Sequence, residues 1–349
     1  MKMKIKKVKI IVAFLAIAIA AVTMVVSVKK IKNDSSTQTV MDENANYSWP
    51  LATCSTEDTI TQIFAETFAE EVSRLSDGKM KITVYPQSTL GGDRELLESC
   101  KDKDIPFIAQ SPATQVTFMP ELCIFDTPCA FDDIEEARES IDNDEFQEKI
   151  QEIYTSAGYR LLGMADQNFR EMTSDREFTG FESFKGQKIR TMENSFHIQF
   201  WRQMGANPTP MTFSEVYIGL QQGTIDAQEN SLELIESAKL YEQQKYLIHT
   251  KAVPDYISLI VSDDFYNELP TWQQEVIDQA AELAQEAARA DSDERYKERL
   301  ASLKEQGLVE VTLDDDTWAQ MQEACEPVYE SIKEITGEEL FNLYTGQTN

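Results

Sequence analysis

Two side chains in the middle of the chain have the type and placing to hold an acid. Arg190 closes a short alternating run, Lys188-Ile189-Arg190, and Asn230 closes the stretch Asp226 to Asn230. A guanidinium is a planar fork of fixed positive charge, and an amide adds a neutral contact. Together they suit a carboxylate. Each residue also has a structural use: Arg190 could pair with one of the chain's own acids, and Asn230 could cap a helix. Other chemistry is poorly provided for. The two histidines, His197 and His249, lie far apart, and no G-x-S-x-G, H-E-x-x-H or Walker loop occurs. Both histidines read as structural. A carboxylate pair of glycosidase type is the enzymatic alternative that counting acids leaves open.

The elements that must position these residues follow an α/β rhythm. Strand 188–190 leads into a helix with Phe196, Phe200 and Met204 at spacing four. Pro208 and Pro210 then break the chain. Phe213-Ser214-Glu215 starts a further helix that Gly223 stops, and a strand ending at Asn230 follows. In such layers ligands bind beyond the strand ends. Upstream, strand 49–53 leads to a helix through Ile60 and Phe64, capped by Thr56 or Asp58, and then to strand 81–85, a βαβ unit. Leu90-Gly91-Gly92 opens a helix in which Glu95 balances the dipole, and the paired glycines could form an anion nest. A strand ends at Gln110, and residues 132–154 read as acidic helix. Strand 159–164 precedes Asn168-Phe169-Arg170. Residues 256–262 are the most strand-like run. From Leu269 to about Gln306 runs one helical pattern of roughly 55 Å, longer than one domain is wide.

With 349 residues the chain has room for two cores, and 61 acids against 32 bases give a formal charge of -29. Seven of those bases are lysines within the first 30 residues, which contain no acid, so the remainder carries 25 bases and 61 acids, or -36. That body repels nucleic acid and keeps anions away at long range, so an anion site must rely on short-range arginine contacts. Residues 10–28 are an unbroken apolar or small run between lysines, an export signal or uncleaved anchor. The positive flank stays inside and the acidic body is exported. Residues 31–48 read as a flexible tether. The five cysteines lack zinc spacing and read as buried thiols rather than a Cys123–Cys129 bridge. An anchor plus a tether also suits a surface adhesin.

These segments, taken together, resemble the solute-binding subunits of TRAP transporters, the DctP family. The likeness rests on K-I-R at 188–190, N-P-T-P-M-T-F-S-E-V-Y at 207–217 and L-Q-Q-G-T-I-D-A-Q-E-N at 220–230, with Phe68-Ala69-Glu70, Ser76-Asp77-Gly78-Lys79, Val84-Tyr85-Pro86, Leu90-Gly91 and Tyr241-Glu242 in support. It extends from about Leu51 to Asn349. The resemblance implies an α/β fold of the two-lobe periplasmic-binding-protein type (class II-like), with a long helix spanning both lobes. Lobe I would comprise 49–167 plus 256–295, and lobe II 168–255 plus 296–349. It implies a non-enzymatic, monomeric extracytoplasmic receptor without cofactor or metal, which carries an organic acid (uronate, sugar acid or dicarboxylate) to TRAP membrane permease subunits. Arg190 would pair with the ligand carboxylate, Arg170 and Asn230 would be further contacts, and Phe213 would pack on the ligand. Departures from the family pattern make Cys54, Glu193 and Asn194 candidates for selectivity, with Gln110 and Glu95 as further pocket candidates.

Overall fold

The computed structural model describes residues 47–346. The apolar run at 10–28 and nearly all of the expected tether lie outside the described residues. Tyr47 and Ser48, the last two residues of that tether, begin the first strand. Among the described residues no helix is long and apolar enough to cross a membrane.

The chain is an α/β protein of two sheets. β1 (Tyr47–Ala52), α1 (Ile60–Leu75) and β2 (Met80–Tyr85) form the expected parallel βαβ unit. Helix α1 is capped by Thr59, whose side chain accepts from the Gln62 amide, and not by Thr56 or Asp58. α2 (Asp93–Lys101) and β3 (Phe107–Gln110) follow. The acidic stretch after residue 132 is two helices, α3 (Ile134–Ile141) and α4 (Asp144–Ser156), because Asp133 and Asn143 each supply an N-cap. β4 (Tyr159–Phe169) runs five residues past the expected Met164. Near its end Asn168 adopts a left-handed φ of 64°, which asparagine tolerates better than most side chains. The chain turns there and passes into β5 (Glu171–Ser174).

β5 belongs to the second sheet, with β6 (Lys188–Thr191), β7 (Asn207–Pro210), β8 (Ala227–Asn230), β9 (Tyr246–His249) and β11 (Val309–Thr312). β10 (Pro254–Ser262) returns to the first sheet. The orders are β2-β1-β3-β10-β4 and β11-β9-β5-β8-β6-β7. Pro208 and Pro210 do not break the chain, as the sequence suggested; they lie in β7, the edge strand, where a missing N–H is harmless. Between these strands lie α5 (Ser195–Gln203), α6 (Val216–Gln221) and α7 (Leu232–Ser237).

After the short α8 (Asp263–Glu268), α9 (Thr271–Glu305) is one helix of 35 residues, about 52 Å at 1.5 Å per residue. Its first half buries Ile277, Ala280, Ala281, Ala284 and Ala288 against α1 and the first sheet. Its second half puts Leu303 into a separate cluster with Val216, Ile235 and Leu247 of the second sheet's layer. One helix thus spans both lobes. The last helix, α10 (Asp315–Thr345), breaks at Gly337 and packs on α5 and on the turn Pro120–Asp126. All five cysteines are free and buried.

Candidate ligand-binding site

A cavity of about 60 Å³ lies where the two sheets meet. The first sheet's layer supplies Thr53, Cys54, Thr61, Asp93 and Gln110; the second supplies Arg190, Met192, Phe213, Asn230 and Leu234; the crossing strands supply Gln167, Arg170 and Asp255. Of the residues singled out by sequence, Arg190, Arg170, Asn230, Phe213, Gln110 and Cys54 therefore surround one space.

Arg190 comes from β6, directly beside Gln228 of β8. Only 2% of it is exposed. Its Nε and Nη2 both donate to the Met211 carbonyl, at 3.1 and 2.8 Å, and its Nη1 has no partner among the described residues. Among the described residues no carboxylate pairs with it. Burial lowers this guanidinium to about 10, against the pull of Glu229, so it keeps its charge at neutral pH.

Arg170 is equally buried but spoken for. Its Nε donates to the Glu229 carboxylate, Nη1 to Asp255 Oδ1 at 2.8 Å, and Nη2 to the Glu229 carbonyl and Asn230 Oδ1, each at 2.8 Å. Burial opposes its charge, yet Glu229 and Asp255 push it above the ordinary arginine range. Glu229, which burial would raise, is held at about 2 by Arg170 and His197. His197 extends this chain of charges, with Nε2 3.0 Å from Asp126 and Nδ1 3.4 Å from Glu229. Burial works against its protonation, but Asp126 and Glu229 raise it to about 9.

Around Arg190 other polar atoms are buried without partners. Both side-chain atoms of Gln110 are unpaired, as are Gln167 Oε1 and Thr61 Oγ1. Buried polar groups without partners cost roughly 1–3 kcal/mol each, so a cluster of them facing one space is a set of open contacts. Phe213 is half-buried at the cavity wall, and the Cys54 thiol, raised by burial, donates to the Gly91 carbonyl at 3.5 Å.

Three candidates do not line the cavity. Asn194 caps α5, accepting from Phe196 and His197 amides, and its Nδ2 donates to Ala113 O and Asp126 Oδ2, so every polar atom is engaged. Glu193 is exposed. Glu95 is exposed and folds back on the start of α2, with Oε2 2.8 Å from where a Cβ on Gly92 would stand.

Sequence reasoning missed Asp93, Gln167 and Asp255. Asp255 stands just before the run 256–262 read as strand, and the strand in fact begins at Pro254, which carries this carboxylate into a strand whose every residue is buried. Larger grooves lie elsewhere: in those of about 510 and 620 Å³ the cations are satisfied, Lys149 by Glu339 and Arg289 by Asp142 and the Met164 carbonyl, and one of about 370 Å³ is lined by no cation among the described residues.

The sequence model of the family described as "Bacterial extracellular solute-binding protein, family 7" matches residues 51–335. A solute-binding protein of Verminephrobacter eiseniae is 34% identical over 266 residues, covering 75% of this chain and 78% of that one. The fold is similar to a sugar acid binding protein of Advenella mimigardefordensis solved with galactonate, with a TM-score of 0.83, 28% identity, and coverage of 87% of this chain and 98% of that one. A TRAP periplasmic solute binding protein of Sulfurospirillum deleyianum solved with succinate gives 0.82, 26%, 87% and 100%.

Proposed function

Because the chain belongs to family 7 of the bacterial extracellular solute-binding proteins, the receptors of TRAP-type transporters, we propose that it captures an organic acid through Arg190 and passes it to a membrane permease. The observation that carries this reading is the buried guanidinium with one uncommitted N–H edge facing a cavity. A carboxylate there would gain charge-assisted bonds in a site from which water is excluded. The family is one of receptors and not of enzymes. The lobes, read as 49–167 with 256–295 and 168–255 with 296–349, contribute opposite walls, so binding and closure are linked. Asn230 and Arg170 form the floor, and Phe213 packs on the ligand. The protein acts as a monomer outside the cytoplasm, held by its N-terminal segment or released from it.

Among the acids that such receptors hold, a polyhydroxylated monocarboxylate fits best. Among the described residues Arg190 is the one cation of the cavity that the chain's own acids leave free, so one carboxylate is provided for. The remaining open contacts, on Gln110, Gln167 and Thr61, are neutral donors and acceptors suited to hydroxyls. Asp93, whose carboxyl burial pushes toward its neutral form, adds a further polar contact for a hydroxyl. Calorimetry with D-galactonate, D-galacturonate, succinate and galactitol, followed by product analysis, tests this. Galactonate or galacturonate should bind without turnover, and galactitol, which lacks the carboxylate, should not. Turnover, or galactitol binding as tightly as galactonate, would overturn the reading.

A further inference from the structure

The loop between β1 and α1 carries Ser55 to the cavity wall, and Leu234 of α7 reaches the cavity from the other lobe. Just outside this space the same two segments meet. Ser237 Oγ donates to the Glu233 carbonyl at 2.7 Å and so accepts from Thr56 Oγ1 at 2.6 Å. Beside that contact stands Asp58, in the left-handed region with φ 57°. This backbone turn aims its carbonyl and its carboxylate at the same two guanidinium groups of α9. Arg295 Nη2 donates to Asp58 O at 2.7 Å and to Oδ1 at 3.0 Å; Arg299 Nη2 donates to Asp58 O at 3.0 Å and to Oδ2 at 2.7 Å. Their other nitrogens are tied to α7: Arg295 Nε to Glu233 Oε1 at 2.9 Å, and Arg299 Nη1 to Glu236 Oε2 at 2.7 Å. Arg299 is anchored within the second lobe by a largely buried carboxylate, and Arg295, at the end of the first lobe's share of α9, reaches the buried Glu233 across the boundary, whereas the Asp58 side chain is 70% exposed.

We propose that Asp58, seated between Arg295 and Arg299, is an electrostatic clasp that holds the two lobes together over the cavity. With the boundary at residue 295, opening the lobes would separate Asp58 from Arg299, and Arg295 from Glu233, while leaving Asp58 beside Arg295 and Arg299 on Glu236. The clasp is therefore the separable part of the network, and its exposure makes it sensitive to salt. Asp58 touches neither the cavity nor a ligand in this account; it is a positioning residue that sets how much of the time the lobes are shut. The proposal rests on the receptor reading only for its purpose. It can be tested with no ligand present, so a failure of the Arg190 assignment would leave its test intact.

Thr56 and Ser237 mark the contact, so Thr56→Cys with Ser237→Cys reports closure through the rate at which the pair is oxidised by glutathione disulfide. The linked peptides are identified by mass, and the parent chain with its buried cysteines is the blank. Asp58→Asn, which keeps the left-handed turn, should slow cross-linking about fivefold at low salt. It should also flatten the fall in rate that added salt causes in the parent pair. Arg299→Gln should do the same from the other side. Cross-linking at the parent rate, or with the parent salt dependence, in both variants would overturn the clasp.

Discussion

Arg170 and Arg190 stand at the same cavity, both 2% exposed, and they are opposites. Arg170 is ringed by the chain's own groups: the carboxylates of Glu229 and Asp255, a carbonyl and the Asn230 amide. Arg190 is held by one carbonyl and has a free edge. Burying a charge is costly unless it is paired. Arg170 is a completed piece of architecture, whereas Arg190 is a charge kept uncompensated by the protein itself. A site for an anion needs that second condition, and the first supplies the rigid floor against which the second is aimed.

The comparison can be broken most directly by stability. Arg170→Met leaves Asp255 buried without its counter-charge and Glu229 with His197 alone, and should cost about 3–5 kcal/mol in denaturant unfolding. Arg190→Met removes a charge with no carboxylate partner, and should change stability by about 1 kcal/mol or less. Equal losses would erase the distinction.

The next effect is in pH. Burial works against the His197 imidazolium, but Asp126 and Glu229 raise it to about 9 in the folded chain. An unfolded histidine titrates near 6.5. A raised base stabilises the fold fully below its unfolded pKa and loses that contribution as pH climbs to its folded one. Stability should therefore decline between about pH 6.5 and 9, and His197→Asn should flatten that decline. A wild-type unfolding profile with no slope across this window would contradict the charged chain Asp126–His197–Glu229–Arg170.

Much of this was legible before any coordinates. The βαβ start, the long helix and Arg190 at a strand end follow from periodicity and from residues that do their usual work locally. The histidines were legible only as non-catalytic. Their partners lie tens of residues away (Asp126 from His197, Glu171 and Glu310 from His249), and only the fold brings them together. The same holds for the state of Arg170. The sequence places it at a strand end, but Glu229 and Asp255 come from two other strands. Asn194 shows the reverse error. Its departure from a family pattern suggests a selectivity residue, whereas asparagine before a helix is most simply a cap, the role it fills here.

Gln110 offers the smallest and sharpest comparison. Its two side-chain atoms are buried and unpaired, so Gln110→Leu should leave the free protein as stable as before or slightly more so. The same change should weaken binding of a hydroxylated acid by about 1 kcal/mol, roughly fivefold. Lost stability with unchanged affinity would assign Gln110 to the core.

The central claim is that Arg190 is held free for a carboxylate. It is tested by titrating wild type and Arg190→Lys calorimetrically with the tightest-binding acid of the panel. Lysine keeps the charge but loses the planar fork. The dissociation constant should rise at least tenfold, about 1.4 kcal/mol, with stability little changed. An unchanged constant would mean that the acid is held elsewhere.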